Sequence, residues 1–540
     1  AIGRPVSVDI IRGGELPDYF GGPLSPFLAD AGFPYRDLGI HCLSLIAAFL
    51  GPIEDVKAEW RSLGGEPSLA FDEWRTLVSC RDGIGQFQLT WNVKPIQNQV
   101  IVQGTNGVLR LDLFSLFSSH RRATPGPRAA ERLVNALAES TATASGTVKG
   151  AAMFASGKVK RLQGVRDHVA DFYARLDDGR PMTVDLEGAT QLVRWNEAVA
   201  RAAEADQAER IAALGPADGA VDVLVTGASG SVGSNVVARL LDSGTSVRCL
   251  VRRVPNHPLP GVQYVVGNLG DPAAVDAAVA GAKRVVHAGA TMQGSEADFE
   301  SGTVVGTRNV VESCLRHGVT QLVHISSLAV LDYGGADHGR ALDEDSPLEP
   351  LPHERGLYTR TTAEAEAIVR EAVERHSLPA VIVRPGLIFG GGVDLVTGAV
   401  ARRAGEGRWL VLGDGEAKLS LIYMDDVVDA LMLTIDQDLT DGQIIQLVDP
   451  VTPTQDELLA ALGDGRKVVH LPASVLRTIG RMSDPLFRKL GRSSPLGPHR
   501  LRAGLAHLEF NGTNASKLLG WSPKVGVWEG VKRELSPTPE

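Results

Sequence analysis

Apolar and polar residues alternate in two different ways along this chain, and the change divides it. Before residue 113 they alternate in short runs: Val56 to Arg61, Glu73 to Ser79, Gly85 to Trp91, Gln99 to Gln103 and Val108 to Asp112. A period of two predicts strands with one face in a core and one in water, and the scarcity of helical pattern between them predicts a mostly antiparallel sheet. From Val221 onward the runs become continuously apolar or β-branched: Val221 to Val225, Ser246 to Val251, Gln263 to Val266, Arg284 to Ala288, Gln321 to Ser326 and Ala380 to Arg384. Helical spacing separates them, as at Asn235 to Leu241 and Thr307 to His317, which predicts a doubly wound parallel sheet buried on both faces. The expected fold class is thus an α/β Rossmann sheet preceded by an α+β domain.

An alanine-rich helical stretch, Ala198 to Asp218, runs into Gly215-Pro-Ala-Asp-Gly and marks the main boundary. We therefore expect a first domain over 1–205, a linker over 206–220 and a second domain over 221–540. A length of 540 residues agrees, being too long for one ordinary core. Between Ser118 and Gly164 the pattern is irregular, with Thr124-Pro-Gly-Pro and many small residues; it predicts a small-residue helical insertion or a flap.

The formal charge of -10 argues against a nucleic-acid partner, whose phosphates select basic surfaces. The four cysteines, Cys42, Cys80, Cys249 and Cys314, are scattered and form no CxxC pair, so neither a disulfide framework nor a metal site is expected and a reducing cytoplasm fits. The apolar stretch Cys42 to Leu50 is too short to span a bilayer, so no membrane partner is expected. Asn511-Gly-Thr and Asn514-Ala-Ser then read as turn residues rather than glycosylation sites.

The most specific chemistry lies in VDVLVTGASGSVGSNVVARLLDSG, Val221 to Gly244. Gly227, Gly230 and Gly233 fall between a strand and a helix, where they allow a tight turn, a close backbone approach to a pyrophosphate, and close packing of helix on sheet. Thr226, Ser229, Ser231 and Val232 complete this loop, whose helix N-terminal amides would face phosphates. The second strand ends in Cys249-Leu-Val-Arg-Arg253 with no acid to hold ribose hydroxyls, so Arg252 and Arg253 favour NADP, with NAD as the alternative.

These residues, with Val286-His-Ala-Gly-Ala290, Gly306-Thr307, His324-Ile-Ser-Ser-Leu-Ala-Val330, Tyr358, Arg384-Pro-Gly386, Tyr423-Met-Asp-Asp-Val427 and Leu519-Gly-Trp-Ser-Pro523, make 221–540 resemble an extended short-chain dehydrogenase/reductase of the NAD-dependent epimerase/dehydratase type. The resemblance implies that Ser327 orients a substrate oxygen and Tyr358 exchanges its proton. It also implies cofactor contacts at Asn268, Leu269, Ala288, Gly289, Ala290, Pro385, Gly386 and Ile388, and a small substrate lobe from 390–420 and 450–540. In that family a lysine four residues after the tyrosine favours the phenolate; here the position is Thr362, which can hydrogen-bond but carries no charge. Arg360 is two residues on and should point elsewhere. Thr303 stands where the family often has Asn, and Leu331 where a Tyr commonly follows the serine. Arg402, Arg403, His499, Arg500 and Arg502 read either as partners of a substrate diphosphate or as a solvated helix face.

Residues 1 to about 205 resemble the C-terminal domain of the Gfo/Idh/MocA sugar oxidoreductases, on Tyr35-Arg-Asp-Leu-Gly-Ile-His41, Phe49-Leu-Gly51, Asn98 to Gly107 and Leu176-Asp-Asp-Gly-Arg-Pro181. Asp37 and His41 would share one helix face, either as a proton-shuttling pair or as an N-terminal Asp with a packed His. The resemblance implies a nucleotide domain upstream, so the chain reads as a fragment or processed form, and it implies homo-oligomer formation through the open sheet. The expected function is an NAD(P)-dependent oxidoreductase or epimerase acting on a hydroxyl or ketone of a sugar or nucleotide sugar. The alternative is a non-catalytic NADP-binding sensor or scaffold, as the Thr362 position would allow.

Overall fold

In the computed structural model, strands Pro5–Gly13, Ile53–Arg61, Glu73–Cys80, Gly83–Thr90, Gln97–Gly104, Gly107–Asp112 and Phe117–Arg122 form one seven-stranded sheet. The described residues are 2–14, 30–64, 66, 69–114, 117–124, 126–157, 163–181, 186–335, 341–405, 407–437, 439–489, 494 and 496–536, with backbone only for 163 and 484–489. Pro125 and 158–162, within the stretch expected to be irregular, and 406, 490–493, 495 and 537–540, within the expected substrate lobe, lie outside them.

The described residues divide into two units, 2–14 with 30–213 and 214–536. The helix Leu186–Ala213 carries the first unit through residues 206–213, so that part of the expected linker is helix. The physical reason is composition: Ala, Glu, Arg and Gln are strong helix formers, and no Gly or Pro interrupts them before Gly215.

In the first unit every neighbouring strand pair is antiparallel except Pro5–Gly13 with Gly83–Thr90. Trp74, Thr76 and Val78 are buried while Arg75 and Leu77 are exposed, which is the alternation of a sheet covered on one face. The helix Phe33–Leu50 covers that face through Tyr35, Leu43, Ile46 and Leu50. Leu186–Ala213 is pinned to it by Arg36, which pairs with Glu197 and Glu204. The stretch expected to be irregular contains the seventh strand and a 28-residue helix, Arg128–Ala155, so the helical alternative holds. Leu133, Val134 and Leu137 start an apolar side, but Glu139 to Gly146 hold only small or polar residues and interrupt its periodicity.

The second unit is built on seven parallel strands in the order Val262–Val266, Val247–Val251, Val221–Thr226, Ala282–His287, Gln321–Ile325, Ala380–Pro385, Asp441–Leu447. Helices Ser231–Asp242 and Met424–Asp436 bury one face. Pro272–Val279, Gly306–His317 and Leu357–His376 bury the other. The order reverses beside Val221–Thr226, creating a crevice at the carboxyl edge of the sheet where such folds take ligands. A smaller lobe contains the strand pair Leu387–Phe389 with Leu421–Tyr423 and the three-stranded sheet of Arg402–Arg403, Arg408–Leu412 and Lys467–Leu471.

Candidate active site

Strand register brings the sequence motifs to one edge. Thr226 pairs with His287, His287 with His324, and Ile325 with Val383, so Gly227, Ala288, Ser326 and Arg384 all leave the sheet on the same side. Gly227 turns the chain at φ 66°, and a Cβ there would stand 2.7 Å from the Ala288 carbonyl carbon. A Cβ on Gly233 would overlap the Gly227 carbonyl oxygen, so only glycine lets the helix start this close to the strand. Gly230 donates its N–H to the Gly227 carbonyl at 2.8 Å and is the N-cap of Ser231–Asp242, yet no side chain caps that helix. Its first-turn amides therefore lack an intrahelical acceptor, and Ser229, Gly230 and Ser231 are exposed. An uncapped positive helix end reached only through small residues fits a dinucleotide diphosphate.

The other expected cofactor positions surround this loop. Arg252 is exposed and Arg253 half-buried just after the strand Val247–Val251. Asn268 uses its Oδ1 to accept from the Gly270 N–H at 3.0 Å, and Leu269 is fixed by Asn309, whose Nδ2 donates to its carbonyl at 2.8 Å. Leu269 also closes on Gly306, where a Cβ would stand 2.9 Å from its own Cβ. Ala288, Gly386 and Ile388 are half-buried, Ala290 is exposed, and Gly289 and Pro385 are buried. Thr303 lies on a widened helical segment, Glu300–Val305, and its Oγ1 accepts from the Thr291 N–H at 3.0 Å. Beneath the loop, Thr226 Oγ1 is 2.7 Å from His287 Nδ1, and Thr307 Oγ1 is 3.0 Å from His287 Nε2. The His324 ring lies 5.4 Å away from that of His287, and neither of its nitrogens meets a partner among the described residues. Burial pushes His287 down to about 3, helped by His324, and His324 down to about 4.

Ser327 is half-buried and its Oγ accepts from the Ala329 N–H at 3.2 Å, leaving the hydroxyl proton to donate. Tyr358, also half-buried, stands in the first turn of Leu357–His376. One turn later Thr362 is buried, and its Oγ1 has no partner among the described residues. Arg360 points instead to Glu296, Glu300 and Glu364, at 3.3, 3.4 and 3.4 Å, so it is committed to carboxylates. A further turn on, Glu366 is fully buried. Ser326 Oγ donates to it at 2.7 Å and Arg384 donates to both its oxygens at 3.0 and 2.5 Å. This pair ties the helix of Tyr358 to the strand ends that carry Ser327 and Pro385.

Sequence reasoning missed Glu366, and also Tyr333 and Arg355. Eight positions after Tyr358, two helical turns, was the available signal for Glu366. The Arg355 guanidinium carbon lies 4.0 Å from the Tyr333 ring centre. Burial pushes Tyr333 up to about 12, Arg355 opposes this, and the nearby Tyr358 adds to it. In the first unit, Asp37 is half-buried and His41 exposed on the helix Phe33–Leu50. Partial burial and then the charge of Arg12 lower His41, and Asp37 opposes them.

Comparison with known proteins agrees with this geometry. Residues 223–447 match the NAD dependent epimerase/dehydratase family, and residues 1–110 match the GFO/IDH/MocA C-terminal domain. A 2-alkyl-3-oxoalkanoate reductase of Stenotrophomonas maltophilia is 30% identical over 332 residues, 58% of this chain and 97% of the reductase. The chain belongs to the NAD-dependent epimerase/dehydratase family through its second unit, and the first unit fuses a Gfo/Idh/MocA-type domain to it. Two further relatives are 3beta-hydroxysteroid-dehydrogenase/decarboxylase isoform 1 of Arabidopsis thaliana (30% identical, 51% of this chain) and the decarboxylating sterol-4-alpha-carboxylate 3-dehydrogenase of Saccharomyces cerevisiae (29% identical, 58% of this chain and 97% of that one). The chain spans 66% of the length of the Arabidopsis protein. Among the described residues no helix is long and apolar enough to cross a membrane.

Proposed function

We propose that the chain is an NAD(P)-dependent oxidoreductase that interconverts a secondary hydroxyl and a ketone. The uncapped helix end behind Gly227 and Gly233 carries this reading, because it supplies a diphosphate site beside the strand ends of Ser326 and Arg384. A bound pyridine nucleotide would supply or accept the hydride. The chain's own residues do the rest: Ser327 donates to the substrate oxygen, where charge changes during transfer, and Tyr358 gives or takes the proton. Glu366 and Arg384 hold the two supports of this arrangement in register. Arg252 and Arg253, at the end of the second strand with no acid in the adjoining sequence, favour NADP over NAD. The substrate class expected from the sequence is a sugar or nucleotide sugar; the names of the relatives add 3-hydroxysteroids and 3-oxoalkanoates, all with a hydroxyl or ketone. In the first unit, Asp37 and His41 form a candidate proton-transfer pair, and the part of the open sheet that the helix Arg128–Ala155 leaves bare a candidate self-association surface.

A second reading, a non-catalytic NADP-binding module, is favoured by Thr362 in place of a cation. Titrating NADPH fluorescence and then assaying Tyr358→Phe and Thr362→Lys separates the two. The oxidoreductase reading expects NADPH binding in all three proteins, turnover about 10²- to 10⁴-fold lower in Tyr358→Phe, and faster turnover in Thr362→Lys. Binding without turnover in the native chain, and no change in either variant, contradicts it.

A further inference from the structure

The helix of Tyr358 and the helical stretch 296–317 both start at the carboxyl edge of the parallel sheet, the first leading into the strand Ala380–Pro385 and the second following Ala282–His287. They pack on one another, and at the crevice end the contact is charged. Arg360, two residues after Tyr358, keeps only 19% of its side-chain exposure. Its Nη2 donates to Glu296 at 3.3 Å and its Nη1 to Glu300 and Glu364 at 3.4 Å each. Nε is buried and meets no partner among the described residues, so both Nη groups are taken up by carboxylates. Glu364 lies one turn along on the same helix as Arg360. Glu296 and Glu300 belong to the other helix, where the segment Glu300–Val305 widens.

That second helix is tied in turn to the end of its own strand. Thr303 Oγ1 accepts from the Thr291 N–H at 3.0 Å, and Thr291 Oγ1 donates to the Asp298 carbonyl at 3.2 Å. A Cβ on Gly302 would overlap Thr291 Oγ1, so glycine lets the two segments close. Thr291 directly follows the expected cofactor contacts Ala288, Gly289 and Ala290. Bonds therefore run from that strand end through Thr291 and 296–305 to Arg360, beside the phenol. The Tyr358 hydroxyl itself meets no partner among the described residues, and Thr362 brings it no charge. Its place in the crevice is set by how the two helices sit.

We propose that Arg360 is a positioning residue, which through Glu296 and Glu300 holds the helix of Tyr358 in register with the strand end at Ala288–Ala290. The inference rests on the oxidoreductase reading above and adds to it a residue that acts through its neighbours. A mostly buried guanidinium shared by carboxylates of two helices resists sliding, whereas a single exposed ion pair is worth little. Register matters because a displacement of about 1 Å between reacting groups can cost about 100-fold in rate.

The test uses the full chain with NADP(H) and three probes, UDP-glucose, dehydroepiandrosterone and methyl 3-oxodecanoate, each offering a hydroxyl or ketone. Arg360→Gln is expected to bind NADPH within about threefold of the native chain and to lower kcat by about 10- to 100-fold on whichever probe is turned over, with KM little changed. Amide hydrogen exchange in 291–305 should quicken by about tenfold or more in that variant. Arg360→Lys is expected to recover part of kcat. The double variant Glu296→Gln, Glu300→Gln should match Arg360→Gln, while Glu364→Gln stays within about twofold of the native rate. Unchanged kcat or unchanged exchange in Arg360→Gln overturns the positioning role. So does a loss in Glu364→Gln as large as in the double variant, which would make the effect one of helix stability, or a loss of NADPH binding in Arg360→Gln, which would move the residue into the cofactor site. Failure of the native chain to bind NADPH, or to turn over any of the probes, defeats the oxidoreductase reading itself.

Discussion

The two sheets of this protein each have seven strands, yet only one gathers chemistry at an edge. In the first unit antiparallel neighbours send consecutive strand ends to opposite sides, so loops with polar residues are dispersed, and the second face of the sheet is covered only at its edge, where Glu139 of Arg128–Ala155 pairs with Arg110 and Arg121. In the second unit parallel strands deliver Gly227, Ala288, Ser326 and Arg384 to one crevice. Strand direction decides which half can wrap a dinucleotide. The same contrast appears in the electrostatics. Glu366 and Arg384 are both fully buried, whereas Arg36 in the first unit, with Glu197 and Glu204, keeps about a third of its exposure.

That contrast breaks most visibly at Glu366. Glu366→Ala leaves Arg384 buried without its counter-charge and is expected to cost about 3–5 kcal/mol, while Arg36→Ala costs about 1 kcal/mol or less. Chemical denaturation of both variants checks this, and equal losses would remove the distinction between the units. Next in size, Gly233→Val forces a side chain into the Gly227 carbonyl and should weaken NADPH binding by about 100-fold or more, roughly 2.8 kcal/mol. Fluorescence titration reads it directly.

Acid should act on the second unit through its two buried histidines. Both are lowered in the fold from 6.5, His287 to about 3 and His324 to about 4. Below pH 6.5 the unfolded chain binds protons that the folded chain refuses, so stability is full above that value and falls as pH drops toward 4. The slope is up to about 1.4 kcal/mol per pH unit for each histidine. Thermal melts from pH 8 to 4, compared with a His324→Leu variant, should show a shallower acid loss in the variant. The smallest effect belongs to the first unit: Asp37→Asn and His41→Ala should leave NADPH affinity unchanged within about twofold, well under 1 kcal/mol. A larger change would place part of the cofactor site in the first unit.

What was legible in the sequence follows the range of each constraint. The loop of Gly227 and Gly233 is a local device, with strand, turn and helix inside one short segment, and the parallel strands announced themselves as unbroken apolar runs. The departure at Thr362 was equally plain, because it is measured along one helix from Tyr358. The charged network was not. Glu366 meets Arg384 on a strand, and Arg500 reaches Arg355 across 145 positions, and no spacing rule encodes such meetings. Tyr333 escaped for a related reason: Leu331 occupies the position where a tyrosine was sought, and only folding brings the Tyr333 ring under Arg355. The helix Arg128–Ala155 was obscured by composition, since the small and polar residues from Glu139 to Gly146 interrupt its apolar spacing.

The most direct test is a crystal structure of the full chain grown with NADP⁺. The account predicts the diphosphate against the first-turn amides of Ser231, Val232 and Gly233, and the nicotinamide ring beside the Tyr358 hydroxyl. A nucleotide bound elsewhere, or a loop that closes over Gly227 and Gly233 and leaves no room for a diphosphate, would contradict it.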